Sequence, residues 1–124
     1  MNKRILSILV LILGLSIFTG CKKEGIGGSS ELTIFVKHHT TLIPHAKVYI
    51  KYGATEFPGA TTTLYDDSVT VDAAANGHFL ELIQGDYYLY GVGFDSTISQ
   101  KVTGGIYAKL EKGVEEEINV PVTE

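Results

Sequence analysis

The side chains able to do chemistry in this chain fall into a few small groups. His38, His39 and His45 surround one short loop, and neutral imidazoles bind Zn²⁺ or Cu²⁺. Adjacent residues on an extended chain point to opposite sides, so only one of His38 and His39 can share a site with His45, and solvated loop histidines are the expectation. Asp66, Asp67 and Asp72, with Ser68 among them, offer hard oxygens to Ca²⁺. Their spacing lacks the alternating ladder and closing Glu of a calcium loop, which leaves a solvated turn. Glu115, Glu116 and Glu117 alternate faces if extended and suit the guarding of an edge strand.

Nucleophilic catalysis finds no support in these residues. There is one cysteine, Cys21, and no Gly-x-Ser-x-Gly elbow. Gly25-Ile26-Gly27-Gly28 neither follows a strand nor opens a helix, so it is not a phosphate-binding loop. A carboxylate pair for glycoside hydrolysis needs a pocket of several hundred Å³, which a sandwich of ~95 residues rarely encloses. Lys+Arg 10 against Asp+Glu 14 gives no basic footprint for nucleic acid. The expectation is a protein that is not an enzyme, with no cofactor, no metal and no nucleic-acid partner.

The elements that must position these residues begin after an address. Lys3 and Arg4 precede an apolar run from Ile5 to Phe18, followed by the small Thr19 and Gly20 before Cys21. This is the order of a signal peptide. Its 14 apolar-run residues fall short of the ~20 that cross a bilayer as a helix. Phe18-Thr19-Gly20-Cys21 resembles the lipobox of bacterial lipoproteins. That resemblance implies cleavage between Gly20 and Cys21 and lipidation of Cys21. Several acyl chains make such an anchor effectively permanent, since each buried methylene contributes about 0.8 kcal/mol. Lys22 rather than Asp after the cysteine resembles the signal of gram-negative lipoproteins that leave the inner membrane, and implies the outer membrane, on its periplasmic or surface face. Removal of residues 1–20 leaves Lys+Arg 8 against Asp+Glu 14, a net charge of −6 with His neutral. Such a domain is held off anionic lipid rather than drawn flat onto it. Residues 22–30 are rich in Gly and Ser and read as a flexible tether with a reach of about 30 Å. The expected organisation is 1–20 signal peptide, 21–30 lipidated Cys and Gly/Ser tether, and 31–124 folded domain.

The rest of the chain reads as strands. Leu32, Ile34 and Val36 alternate with Thr33, Phe35 and Lys37; Ala46, Val48, Ile50 and Tyr52 alternate with His45, Lys47, Tyr49 and Lys51. Residues 53–59, containing Pro58, read as a loop, 60–65 as a Thr-rich strand, 66–68 as a turn, and 69–72 as the start of a short strand. Asn76-Gly77 reads as a turn. His78–Ile83 and Tyr87–Val92 read as a hairpin across Gln84-Gly85-Asp86. A two-residue turn puts Leu80 and Leu82 with Tyr87 and Leu89, whereas a three-residue turn puts Phe79 and Ile83 inside. Either way the first arm is apolar on both faces except at Glu81, as in a central strand. Further strands are expected at 97–102, 106–110 and 114–122, separated by Gly104-Gly105 and Lys112-Gly113. Seven to eight short strands with frequent turns indicate an all-β antiparallel sandwich.

Pro44-His45-Ala46-Lys47-Val48-Tyr49-Ile50, Thr70-Val71-Asp72, Gly77-His78-Phe79 and Gly85-Asp86-Tyr87-Tyr88-Leu89 occur in this order. Together they resemble the signature of transthyretin-like or carboxypeptidase regulatory-like domains over roughly residues 31–122. The resemblance implies a Greek-key sandwich of prealbumin type and favours Phe79 inside. If Tyr87 and Leu89 face the core, alternation turns Tyr88 and Tyr90 outward. Tyr49 also faces outward, and neighbouring strands would join the three in a patch suited to docking a protein or stacking on sugar rings. The expected function is therefore a lipid-anchored cell-envelope module with a structural or protein-interaction role, an accessory or adhesive subunit of a surface assembly. The alternative is a carbohydrate-binding module using Tyr49, Tyr88 and Tyr90.

Overall fold

A computed structural model describes residues 23–124. The signal peptide, the cleavage site at Gly20 and Cys21, and the lipidation of Cys21 lie outside the described residues. The eight strands are β1 (Ile26–His38), β2 (Thr41–Leu42), β3 (Lys47–Tyr52), β4 (Asp67–Thr70), β5 (Asn76–Leu82), β6 (Gly85–Asp95), β7 (Gln100–Leu110) and β8 (Glu115–Pro121). They form the expected all-β sandwich of two four-stranded sheets. One sheet has β1 at its centre, paired with β2, β5 and β8; the other runs β4-β3-β6-β7. The chain changes sheet after β2, β4, β5 and β7. All ladders are antiparallel except β1 with β8, which pairs in parallel from Glu31↔Glu115 to Lys37↔Pro121.

Strand alternation puts the expected side chains inside. Leu32, Ile34 and Val36 of β1, Val48 and Ile50 of β3, Tyr87 and Leu89 of β6, and Val120 of β8 have no exposed surface. Each such aliphatic side chain contributes on the order of 1.5–3 kcal/mol by leaving water, an upper estimate given residual burial in the unfolded chain.

Elsewhere the structure departs from the local reading. Residues 26–30 are not tether but the first part of β1, with Ile26 and Ser30 both registered against Leu82. Gly28 is a close-approach residue there: a Cβ would lie 2.1 Å from the Leu82 carbonyl oxygen. Ser30 is buried, donating to the Glu111 carbonyl at 2.7 Å and accepting from the Gly113 amide at 2.8 Å. Residues 60–65 form no strand, because the free side of β3 is taken by β4 with Ile50 opposite Asp67; Thr62–Leu64 instead coils into one 3₁₀ turn. Asp66–Ser68 is consequently not a turn, since Asp67 opens β4.

Asn76-Gly77 opens β5, and the turn sits just before it. The Asp72 carboxylate accepts the Ala74 and Asn76 amides at 2.9 and 3.0 Å, and Ala75 takes φ 60°. The expected 78–92 hairpin does not exist: β5 pairs with β1 and β6 with β3 and β7, so Gln84 carries the chain from one sheet to the other. Phe79 and Leu82 both face inward because Glu81, at φ 54°, is a bulge. Two residues of β5 separate the Leu32↔Phe79 and Ser30↔Leu82 pairs where β1 has one. β5 is an edge strand rather than a central one, and its Leu80 is 59% exposed. Finally, β7 runs unbroken through Gly104-Gly105, and residues 97–99 belong to the turn before it.

Candidate functional site

The two outer faces of the sandwich differ in chemistry. The face over β1 and β5 carries a polar cluster beside the exposed Leu80. Thr33 Oγ1 donates to Glu115 Oε1 at 3.2 Å and lies 3.2 Å from His78 Nδ1, which is 3.0 Å from Glu31 Oε1. The face over β3, β6 and β7 is aromatic. The ladder sets Tyr49 opposite Tyr90 and Tyr88 opposite Tyr107. The three tyrosines read from sequence as a patch are thus brought onto one face.

They are not left open. Tyr65 stacks on Tyr90 with centroids 5.7 Å apart and 16° between planes, and lies 5.8 Å from Tyr49. Phe57 lies 5.4 Å from Tyr90 and 5.9 Å from Tyr88. The loop between β3 and β4 therefore covers Tyr90, which is only 6% exposed. Tyr65 closes that loop by donating its hydroxyl to the Gly59 carbonyl at 2.8 Å. Burial, helped by Tyr88 and Tyr90, pushes its phenol up to about 12. What remains accessible is a cleft of about 350 Å³ bordered by Phe57, Tyr88, Tyr90 and the bare backbone of Gly104-Gly105. Phe57 was legible only as an aromatic residue before Pro58-Gly59 in a polar loop, and Tyr65 carried no signal beyond its type.

A second apolar feature occupies one end of the sandwich. Phe94, at the end of β6, and Ile98, in the β6–β7 turn, are 56% and 45% exposed. The described chain enters at the other end, where the Gly25 amide donates to the Tyr87 hydroxyl and Glu24 Oε1 accepts from the Asp86 amide. The 11 residues of β6 separate the two ends, a span of about 35 Å at ~3.3 Å per residue.

Beneath the Phe94–Ile98 turn lies a cluster of ionisable groups around the buried His38 and Asp95 that the sequence did not reveal. His38, the last residue of β1, places Nδ1 2.8 Å from Asp95 Oδ2 and Nε2 2.7 Å from Glu124 Oε2. The first contact is a hydrogen bond; the second is an ion-pair distance without hydrogen-bond alignment. Asp95 Oδ1 accepts from the Thr97 hydroxyl at 2.6 Å and amide at 2.9 Å. The Thr97 and His38 hydrogen bonds lower the Asp95 carboxyl below its usual 3.8 against the opposing effect of burial. A depressed carboxylate stabilises the fold above its unfolded value and loses that contribution as pH falls through the folded one. Asp95→Asn is therefore expected to flatten part of the decline in thermal stability as pH falls through and below the usual carboxylate range. Melting-temperature profiles that run parallel for the two proteins would remove Asp95 from the acid response.

The metal candidates read from sequence do not converge on one site, although His39, at φ 54° rather than extended, sets its ring beside that of His38 instead of on the opposite side. His38 is committed to Asp95, the His39 ring lies 4.6 Å from that of His38, and the His45 amide is tied to the Asp72 carbonyl. Asp66 accepts the Tyr52 amide, Asp67 the Ser68 amide, and Asp72 caps its own turn. No group of three or more His, Cys, Asp or Glu side chains among the described residues is placed to hold a metal ion. Glu115, Glu116 and Glu117 are all exposed on β8, which pairs only with β1. Against known proteins, no family model and no curated sequence matches the chain.

Proposed function

We propose that this protein is a lipid-anchored cell-envelope module that works by binding, as an accessory or adhesive subunit of a surface assembly, with its lipid on Cys21. The supporting observation is the position of Phe94 and Ile98: an exposed apolar pair on a tight turn, at the end opposite the chain's entry into the sandwich. A module held at one end, with Phe94 and Ile98 exposed at the other, is arranged to present that end to a partner protein.

In-cell crosslinking followed by mass spectrometry tests this reading, with Cys21→Ala exported without its anchor as a control. The expected result is one abundant envelope partner, absent from the control and reduced about tenfold or more in Phe94→Glu. Retention of the partner in a folded Phe94→Glu protein would sink the docking surface, and its retention in Cys21→Ala would sink the role of the anchor.

The cleft beside Phe57 and Tyr88 supports carbohydrate binding as a second reading, narrower than a patch of Tyr49, Tyr88 and Tyr90, because Tyr65 and Phe57 cover the other two rings. Loss of polysaccharide binding in both Phe57→Ala and Tyr88→Ala, with Phe94→Glu unaffected, would favour it.

A further inference from the structure

The segment after β8 closes one seam of the sandwich. β8 pairs only with β1 and β7 only with β6, so the edges of the two sheets meet at this seam with few hydrogen bonds between them. The connection is the tail Val122–Glu124. The Thr103 and Thr123 amides and carbonyls exchange two hydrogen bonds of 2.8 Å, and the Val122 amide donates to the Lys37 carbonyl at 3.0 Å. Beyond these backbone bonds, the polar side chain that holds the tail's end is Glu124, set against the ring of His38.

The geometry points to a protonation latch: Val122 is anchored in the core, while a charged His38 holds Glu124, and with it Thr123, across the edge of β7, and a neutral His38 releases these two residues. The two ring nitrogens have separate duties. Nδ1 faces Asp95, whose other oxygen already takes two hydrogen bonds from Thr97, and an ionised carboxylate there requires Nδ1 to keep its proton. Deprotonation therefore occurs at Nε2, which gives its proton to water. The ring then carries no charge, and the attraction for the carboxylate oxygen 2.7 Å away is lost. Glu124 is 53% exposed at its side chain and can swing into solvent, whereas Asp95 is buried and cannot.

The surroundings act in one direction. Asp95 from β6 and Glu124 from the tail are the charged groups that bear on the ring; Thr41 of β2, opposite His38 in the ladder, is uncharged, and the His39 ring lies beside it. The hydrogen bond to Asp95, opposed by burial and helped by Glu124, raises His38 above its usual 6.5. A raised imidazole contributes stability that is complete below the unfolded value and disappears as pH rises through the folded one. The latch is closed in acid and opens toward alkaline pH. Opening frees the Thr103 amide and carbonyl, which point away from β6, and exposes a strand edge next to the Phe94–Ile98 turn.

Amide hydrogen exchange on the full chain, followed by NMR through the titration of His38, tests the latch. Protection at Thr103 and Thr123 is expected to fall about tenfold or more beyond the intrinsic base-catalysed change, while the β6–β7 ladder amides follow the intrinsic slope. In Glu124→Gln the step is expected to vanish, because an uncharged carboxamide has no attraction for the imidazolium to lose on deprotonation. His38→Gln should hold the tail weakly at every pH; Glu124→Gln, altered at a half-exposed position, keeps the test valid if that variant does not fold. A full step in Glu124→Gln, or none at Thr103 and Thr123 in the unaltered protein, would overturn the latch.

Discussion

Replacing Tyr87 by Ala is expected to lower the unfolding free energy by about 3–5 kcal/mol, the range for truncating a large buried aromatic. The ring has no exposed surface and meets Tyr52 edge-on, with centroids 5.9 Å apart and planes at 82°. Its hydroxyl accepts the Gly25 amide at 2.9 Å and donates to the Ile83 carbonyl, so one side chain ties the chain's entry to the crossing between β5 and β6. Tyr87→Phe separates the two contributions. It keeps the ring and strips a partner from a buried amide and a half-buried carbonyl, at an expected cost of about 1–3 kcal/mol. Urea unfolding of both variants checks the pair. A cost below about 0.5 kcal/mol for Tyr87→Phe, the range of an unremarkable surface change, would show that the hydroxyl does not hold the entry segment.

The second large effect is expected at Gly104. A Cβ there would lie 2.2 Å from the Pro121 carbonyl oxygen and 3.0 Å from Val122 Cα. Both obstacles are backbone, so no rotamer change relieves them. Gly104→Val is expected to cost about 3 kcal/mol, the upper end for overpacking, and to push Val122–Glu124 off β7. A melting transition shifted downward together with lost amide protection at Thr103 and Thr123 at every pH is the expected signature. This differs from the latch, whose effect depends on pH. Unchanged protection at Thr123 in the Gly104→Val protein would mean that the tail approaches β7 less closely than 2.2 Å implies.

The parts legible in the sequence are those controlled by period. In β1 and β3 every second residue is apolar, and a period of two permits only one face to be buried, so Leu32, Ile34, Val36, Val48 and Ile50 could be placed inside before any partner strand was known. The same alternation turned Tyr49 and Tyr88 outward. Lys112-Gly113 was readable as a turn because Gly113 takes φ 71° there.

Glycine and serine misled where their use is contact rather than flexibility. Residues 26–30 and Gly104-Gly105 have the composition of a linker and a break, yet both lie inside strands, and at Gly28, Gly104 and Gly105 neighbouring backbone comes too close to admit a side chain. Local composition reports the absence of a side chain and is silent on what fills the space.

The sequence by itself determined the all-β class, the inward sets of β1 and β3, and the outward tyrosines, because these follow from alternation along one strand. Tertiary structure alone decided that β5 and β6 join different sheets and that β1 pairs in parallel with β8. It alone decided that Phe57 and Tyr65 cover Tyr90, and that His38 meets Asp95 and Glu124. Asp95 is 57 residues from His38 in the chain, and contacts at that separation depend on which strands become neighbours, a choice made by the packing of the whole core rather than by any local pattern.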